Sequence, residues 1–297
     1  MMSTPRFGRL LTAMVTPFDE DLALDFTRAQ ELSARIISQG SEGLIVSGTT
    51  GESPTISRSG RMDLFKAVIS SVGDTASIIA NIGDNCTEDS VAFAKEVAAL
   101  DVDGIMAVVP YYNKPPQEGM YRHFRAIADA VDVPVILYNI PGRCVVDMSS
   151  DTVLRLAHDC QNIVGIKEAN GNLENTERTL AEAPEGFEVF SGDDAWTLPL
   201  MSIGGTGVIS TIGNIASDHM RPMIDAFVAG DRAAAEKIHN RLLPLMEGLF
   251  ATSNPILVKE ALKLMGFSVG GVRLPLVDAT VLESLELAKT MHKSGVI

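Results

Sequence analysis

The sequence predicts an α/β protein, a (β/α)8 barrel followed by a C-terminal three-helix subdomain. Three observations lead there. Short apolar runs rich in Val and Ile alternate with longer amphipathic stretches. The alternation recurs at intervals of about 25 to 30 residues, which suits a parallel sheet closed on itself within roughly 250 residues. An open doubly wound sheet would carry a glycine-rich loop after its first strand, whereas here the first run ends in TAMVTPF.

Taken in order, the runs read as strands near 10–16, 43–48, 77–82, 103–109, 133–139, 163–168, 187–191 and 206–210. They are short and continuously apolar, as strands buried on both faces are. Between them lie helical patterns such as TRAQELSARIISQG (27–40) and EDSVAFAKEVAAL (88–100). In the latter, Val91, Ala94, Val97 and Ala98 recur at helical spacing with charges on the opposite face. The second helix is expected to start after a turn containing Ser57. The third is expected to be capped by Thr87, with Glu88 and Asp89 in its first turn. After the eighth run the pattern is purely helical: DRAAAEKIHNRLLPLMEGLF, SNPILVKEALKLMG and ATVLESLELAKTMHK. The expected organisation is a barrel over 1–225 and a helical subdomain over 226–297, with no low-complexity linker between them.

Composition narrows the function. With 46% hydrophobic and 21% charged residues the chain reads as an ordinary globular protein. A formal net charge of -14 argues against a nucleic-acid partner. It leaves anionic small molecules open, because a few local cations set the potential inside a cleft. Cys86, Cys144 and Cys160 form no CxxC pair and read as reduced thiols. The start, MMSTPRFGRLL, lacks the apolar core of a signal peptide. No apolar run approaches the roughly 18 to 20 residues that span a bilayer. The expected setting is the cytoplasm, without a membrane partner.

Barrel active sites sit at the C-terminal ends of the strands, so the residues found there are informative. They read SGTTGES (47–53), PYYNKP (110–115), LYNIPGR (137–143), GIKEAN (165–170), SGDD (191–194) and GVISTIGN (207–214). Lys167 stands out. Of nine lysines, the other eight lie on expected helices or in the Lys114 loop, where an ammonium reaches water, and Lys167 alone lies inside an apolar strand. Desolvation lowers a lysine pKa and raises the fraction of free amine, as a Schiff-base nucleophile requires. The competing reading is an ion pair with a carboxylate such as Glu168. Tyr138 ends the neighbouring strand, either as a proton relay or as a half-buried phenol meeting the rim. Thr49 and Thr50 lie on a turn from Gly48 to Gly51 that suits a carboxylate, or is a plain tight turn; it lacks the lysine of a nucleotide loop. Arg143, after Pro141-Gly142, offers a carboxylate a held guanidinium, or is a surface arginine. Asp193 and Asp194 read as a cap for a helix starting at Ala195 rather than as metal ligands. Five scattered histidines without HExxH or a His/Cys cluster give no metal site, and GxSxG is absent.

GTTGES, PYYNKP, YNIPGR, GIKEAN and SGDD occur in the order and spacing of the dihydrodipicolinate synthase / N-acetylneuraminate lyase superfamily. The resemblance runs from RLLTAMVTPF to NPILVKEALKLMG, nearly the whole chain. It implies that Lys167 forms an imine with pyruvate, and that Tyr138, Thr49 and Tyr112 relay protons. It further implies that Tyr112 reaches in from a neighbouring subunit of a homotetramer built as a dimer of dimers. Thr50 matches a contact of the pyruvate carboxylate, Gly192 and Ile209 line the site, and Ile203 faces it with a backbone carbonyl. Asn254 and Pro255 match a motif outside the site. Arg143 resembles the synthases, which hold the carboxylate of a semialdehyde there, more than the sialic-acid lyases. The implied reaction condenses pyruvate with L-aspartate 4-semialdehyde to 4-hydroxy-tetrahydrodipicolinate, in lysine and diaminopimelate biosynthesis. It needs no metal or organic cofactor.

Two other readings compete. One is a pyruvate lyase acting on a keto-deoxy sugar acid or on N-acetylneuraminate, against which Arg143 speaks. The other is a keto-acid-binding protein without catalysis, against which the Lys167, Tyr138, Thr49 and Tyr112 set speaks. Many synthases follow the arginine with Thr-Gly, where this chain has Cys144-Val145, a stiffer and less polar turn. In relatives inhibited by lysine the effector binds at the dimer interface. Ser53, Asn85 and Tyr111 match that site, and Asp89 stands where an acidic partner is expected. Arg58 and Arg61 replace the usual histidines, and two cations repel a lysine ammonium. Feedback by L-lysine is therefore expected to be weak or absent.

Overall fold

The computed structural model describes residues 4–297. Eight strands follow one another: β1 (Leu10–Ala13), β2 (Gly43–Val46), β3 (Ser77–Asn81), β4 (Gly104–Val108), β5 (Val135–Asn139), β6 (Ile163–Glu168), β7 (Glu188–Ser191) and β8 (Gly207–Ser210). They are hydrogen-bonded in sequence order into a closed barrel, with parallel registers such as Leu11 opposite Gly43 and Tyr138 opposite Lys167. This is the (β/α)8 TIM barrel read from the sequence, and each strand begins within two residues of its expected start. The strands bury nearly every residue, as LLTA of β1 and VILYN of β5 show. That is why they carry no polar alternation.

The helices in chain order are α1 (Phe26–Ser38), α2 (Arg58–Val72), α3 (Thr87–Val97), α4 (Gln117–Ala128), the single turn α5 (Pro141–Cys144), α6 (Ser150–Asp159), α7 (Leu173–Glu182), α8 (Thr197–Ser202) and α9 (Gly213–Val228). Three further helices complete the chain: α10 (Arg232–Gly248), α11 (Ile256–Leu264) and α12 (Val281–Ser294). Local chemistry sets where they start. Asp25, Ser57, Ser149, Asn172 and Asp231 each accept a backbone N–H at their helix N-terminus. Thr280 forms a reciprocal capping box with Glu283. Thr87 does not cap α3 as expected. Cys86 holds the cap position, and the Thr87 hydroxyl is 2.9 Å from Nδ1 of His123. A competing partner of greater sequence separation takes the hydroxyl, while Glu88 and Asp89 do occupy the first turn.

The described residues gather into two compact units, one of 10–77 and 210–297, the other of 4–9 and 78–209. In the first, α1 buries Leu32 and Ile36 and α2 buries Leu64, Phe65 and Val68. In the second, α4 buries Met120, Phe124 and Ile127 along one face. Each such side chain contributes about 1.5 to 3 kcal/mol on burial. Among the described residues no helix is long and apolar enough to cross a membrane.

Candidate active site

Within the second unit, β5 and β6 set the chemistry. Their register places Tyr138 opposite Lys167 and Asn139 opposite Glu168. Neighbouring residues of a strand point to opposite faces, so Lys167 and Glu168 cannot share a side. Lys167 is 5% exposed, and its Nζ lies 4.5 Å from the centroid of the Tyr138 ring. On its other flank the register partner is the buried Phe190. Burial brings the Lys167 pKa down to about 8; the Asp194 carboxylate opposes that shift and the Arg143 guanidinium adds to it. Roughly a tenth of the amine is therefore unprotonated at pH 7, far more than for an exposed lysine.

Glu168 is engaged elsewhere. The Asn139 side-chain amide donates to its Oε1 (3.0 Å) and Oε2 (3.2 Å), and the Asn170 N–H donates to Oε1 (3.0 Å). The same amide donates to Asp147 Oδ1 at 2.6 Å. Burial raises the Glu168 pKa to about 8; the Asn139 bond opposes that rise and Asp147 reinforces it. Glu168 is thus not an ion-pair partner of Lys167 but part of an acid–amide–acid cluster on the opposite face.

Arg143 sits on α5, where Pro141 occupies the first turn and the Arg143 and Cys144 N–H groups both donate to Ile140 O at 3.0 Å. The Cys144 thiol is buried and donates to Val109 O, and burial pushes its pKa up to about 11, so it is inert rather than reactive. Val145 ends the turn at φ 69°, a left-handed conformation that suits glycine and strains a β-branched residue. Tyr112 is held at φ 74° with its side chain 87% exposed. Beside it, the Tyr111 carbonyl accepts from Asn85 Nδ2 at 3.1 Å. Gly192 donates to Glu168 O at 2.7 Å, and a Cβ there would lie 2.6 Å from that of Ala169, which explains the glycine. Asp193 Oδ1 accepts from Ala195 N at 2.9 Å, the expected capping role. Ile203 closes α8, and Ile209 is fully buried in β8.

In the first unit, the turn bearing Thr49 and Thr50 is closed by Gly51 N donating to Gly48 O and Glu52 N donating to Thr49 O, both at 3.1 Å. Glu52 itself is left-handed at φ 53°. Its carboxylate meets Lys259 Nζ at 2.6 Å and accepts from Arg273 N at 2.9 Å. Lys259 does not reach water as its helical position suggested. Its side chain is 3% exposed, donates to Gly271 O at 2.8 Å and lies over the Phe18 ring. Asn254 Nδ2 donates to Thr50 Oγ1 at 2.8 Å, which ties its motif to a candidate site residue. Both contacts join the start of the chain to its end and leave no local pattern in the sequence. Ser53 opens a short 3-10 turn, and Arg58 and Arg61 lie on the first turn of α2.

A barrel with a desolvated lysine near the end of its sixth strand, beside a phenol, is an arrangement suited to amine chemistry on a carbonyl. The chain belongs to the dihydrodipicolinate synthetase family, whose model matches residues 6–294. It is 54% identical to the 4-hydroxy-tetrahydrodipicolinate synthase of Symbiobacterium thermophilum, over 99% of this chain and 100% of that one. Among solved structures it resembles dihydrodipicolinate synthase from Cyanidioschyzon merolae with lysine bound, with a TM-score of 0.97 and 45% identity over 99% of this chain and 100% of that one. It also resembles a dihydrodipicolinate synthase variant described as the first monomeric one, with a TM-score of 0.95 and 38% identity over 98% of each chain.

Proposed function

We propose that this chain condenses pyruvate with L-aspartate 4-semialdehyde to give 4-hydroxy-tetrahydrodipicolinate, in lysine and diaminopimelate biosynthesis. The observation that carries the chemistry is the buried Lys167 amine, with its pKa near 8 and its Nζ beside Tyr138. The free amine attacks the pyruvate ketone, and loss of water leaves an imine. The imine accepts the electron pair released when a methyl proton departs, giving an enamine. The enamine carbon bonds to the aldehyde carbon, whose oxygen takes up a proton. The amine of the semialdehyde then attacks the imine carbon and displaces Lys167, closing the ring.

Tyr138, Thr49 and Tyr112 move the protons. Thr50 binds the pyruvate carboxylate, while Gly192, Ile203 and Ile209 line its site. Arg143 holds the carboxylate of the second substrate, and as a cation beside Lys167 it favours the free amine. Tyr112 acts in the site of a neighbouring subunit, within a homotetramer formed as a dimer of dimers in the cytoplasm. Its exposed ring supports that role.

The test is turnover of the two substrates, followed through a reductase that consumes the product and oxidises NADPH. Lys167→Ala should abolish it, and Arg143→Ala should lower it with a raised KM for the semialdehyde. Pyruvate trapped on Lys167 by borohydride without turnover would keep the imine and discard the acceptor. Ser53, Arg58, Arg61, Asn85, Asp89 and Tyr111 match the effector positions of lysine-inhibited relatives, with two arginines that would repel a lysine ammonium. Titration with L-lysine should inhibit weakly or not at all, and inhibition in the micromolar to low-millimolar range would discard that expectation.

A further inference from the structure

We propose that Asn254 is a positioning residue for pyruvate: its side-chain amide turns the Thr50 hydroxyl so that the proton faces the substrate carboxylate. The inference rests on the reading of Thr50 as a carboxylate contact.

A hydroxyl has one proton and two lone pairs. Asn254 Nδ2 donates to Thr50 Oγ1 at 2.8 Å, and both residues are buried, at 7% and 3% exposure. An oxygen that accepts an amide N–H must send its own proton elsewhere. The hydroxyl is then left as a donor, which is what a carboxylate needs. With the amide reversed, the hydroxyl would donate to Asn254 and present only lone pairs to an anion.

The same C-terminal stretch fixes the backbone that carries Thr50. Lys259 and the Arg273 N–H hold the Glu52 carboxylate at 2.6 and 2.9 Å, two residues past Thr50. Thr16 Oγ1 donates to Gly51 O at 2.7 Å from the other side. These bonds tie the turn in place, so the hydroxyl direction is set by the group that meets its oxygen. Residues 254–273 thereby gain a task in pyruvate binding without touching the reacting atoms.

The experiment measures pyruvate KM against pH for Asn254→Asp, Asn254→Ala, Thr50→Val and the Thr50→Val/Asn254→Ala pair. Thermal melts and borohydride trapping count the folded sites. Asn254→Asp is close to isosteric. Its carboxyl can still donate when protonated and only accepts when ionised. The ratio of its pyruvate KM to that of the wild type should rise with pH, to about tenfold or more, as the charge-assisted bond to substrate is lost. Asn254→Ala should raise KM by roughly threefold at every pH, and should add nothing once Thr50 is Val. The semialdehyde KM should stay within about twofold in each Asn254 variant, since that carboxylate is assigned to Arg143. If Thr50→Val raises pyruvate KM and the Asn254 variants do not, the positioning proposal is wrong and the assignment of Thr50 stands. If Thr50→Val leaves pyruvate KM unchanged, the assignment of Thr50 fails and the proposal falls with it.

Discussion

At the scale of single residues, the site is governed by which groups lose water. Lys167 and Glu168 are adjacent in sequence, both buried, and both near pKa 8, yet they arrive there from opposite directions. Burial disfavours the ammonium of one and the carboxylate of the other. For Lys167 the consequence is kinetic. The rate of borohydride-trapped imine formation with pyruvate should rise through pH 8 as the ammonium is lost and then level off. Arg143→Gln removes a cation that lowers this pKa, so its profile should move to higher pH. An unmoved profile would detach Arg143 from the lysine. For Glu168 the consequence is stability. Its folded pKa lies above the unfolded value of about 4.5, so the folded state binds the extra proton between pH 4.5 and 8. The stability it contributes is complete below pH 4.5 and is lost as pH rises through 8. Glu168→Gln, neutral at every pH, should leave thermal melting near that of the wild type at pH 5 and raise it relative to the wild type at pH 9. A difference that does not vary with pH would show that the carboxyl does not titrate in this range.

At the scale of elements, what was legible in the sequence was periodic or local. The eight strands and three terminal helices appear in hydrophobic pattern alone, because each must bury a continuous run or stripe. Ser57 and Asp193 act as caps because the donors they need lie two or three residues away. Thr87 and Lys259 depart from the local pattern for a shared reason: their partners, His123 and Glu52, are distant in the chain. A helix pattern reports which face is apolar, not whether a charge on it meets a distant carboxylate. The turn α5 presents a different case. Cys144-Val145 was read as stiff, and the structure adds that Val145 pays for its position with a left-handed backbone. Left-handed geometry costs an ordinary residue about 1 to 2 kcal/mol, while glycine costs roughly 0.5 to 1 kcal/mol in chain entropy. Val145→Gly should therefore stabilise the fold by about 0.5 to 1 kcal/mol in denaturant titration. If the stiffness of this turn also orients Arg143, the same variant should raise the semialdehyde KM and leave that of pyruvate alone. A loss of stability would mean that Val145 makes apolar contacts worth more than its strain.

At the scale of the whole molecule, any association of chains would have to overcome like charge, since every chain carries a formal net charge of -14. A contact that holds such chains together needs specific apolar or aromatic groups, and Tyr112 is a large ring held out from its own chain at a strained backbone angle. If it completes a partner's site, two defective chains can rescue each other. Lys167→Ala destroys the amine but keeps its own tyrosine to lend. Tyr112→Phe keeps the amine but lends nothing. In a dimer pairing one of each, the site with the intact lysine receives an intact tyrosine, and the other site has neither. Random pairing on co-expression makes half of the dimers mixed, each with one working site, so activity per chain should reach roughly a quarter of the wild-type value. Each variant alone should be far below that. If Tyr112 instead serves its own chain, every site in every pairing lacks one group, and the co-expressed mixture should be no more active than the average of the two variants measured separately. The outcome separates a site shared between chains from one carried within a single chain.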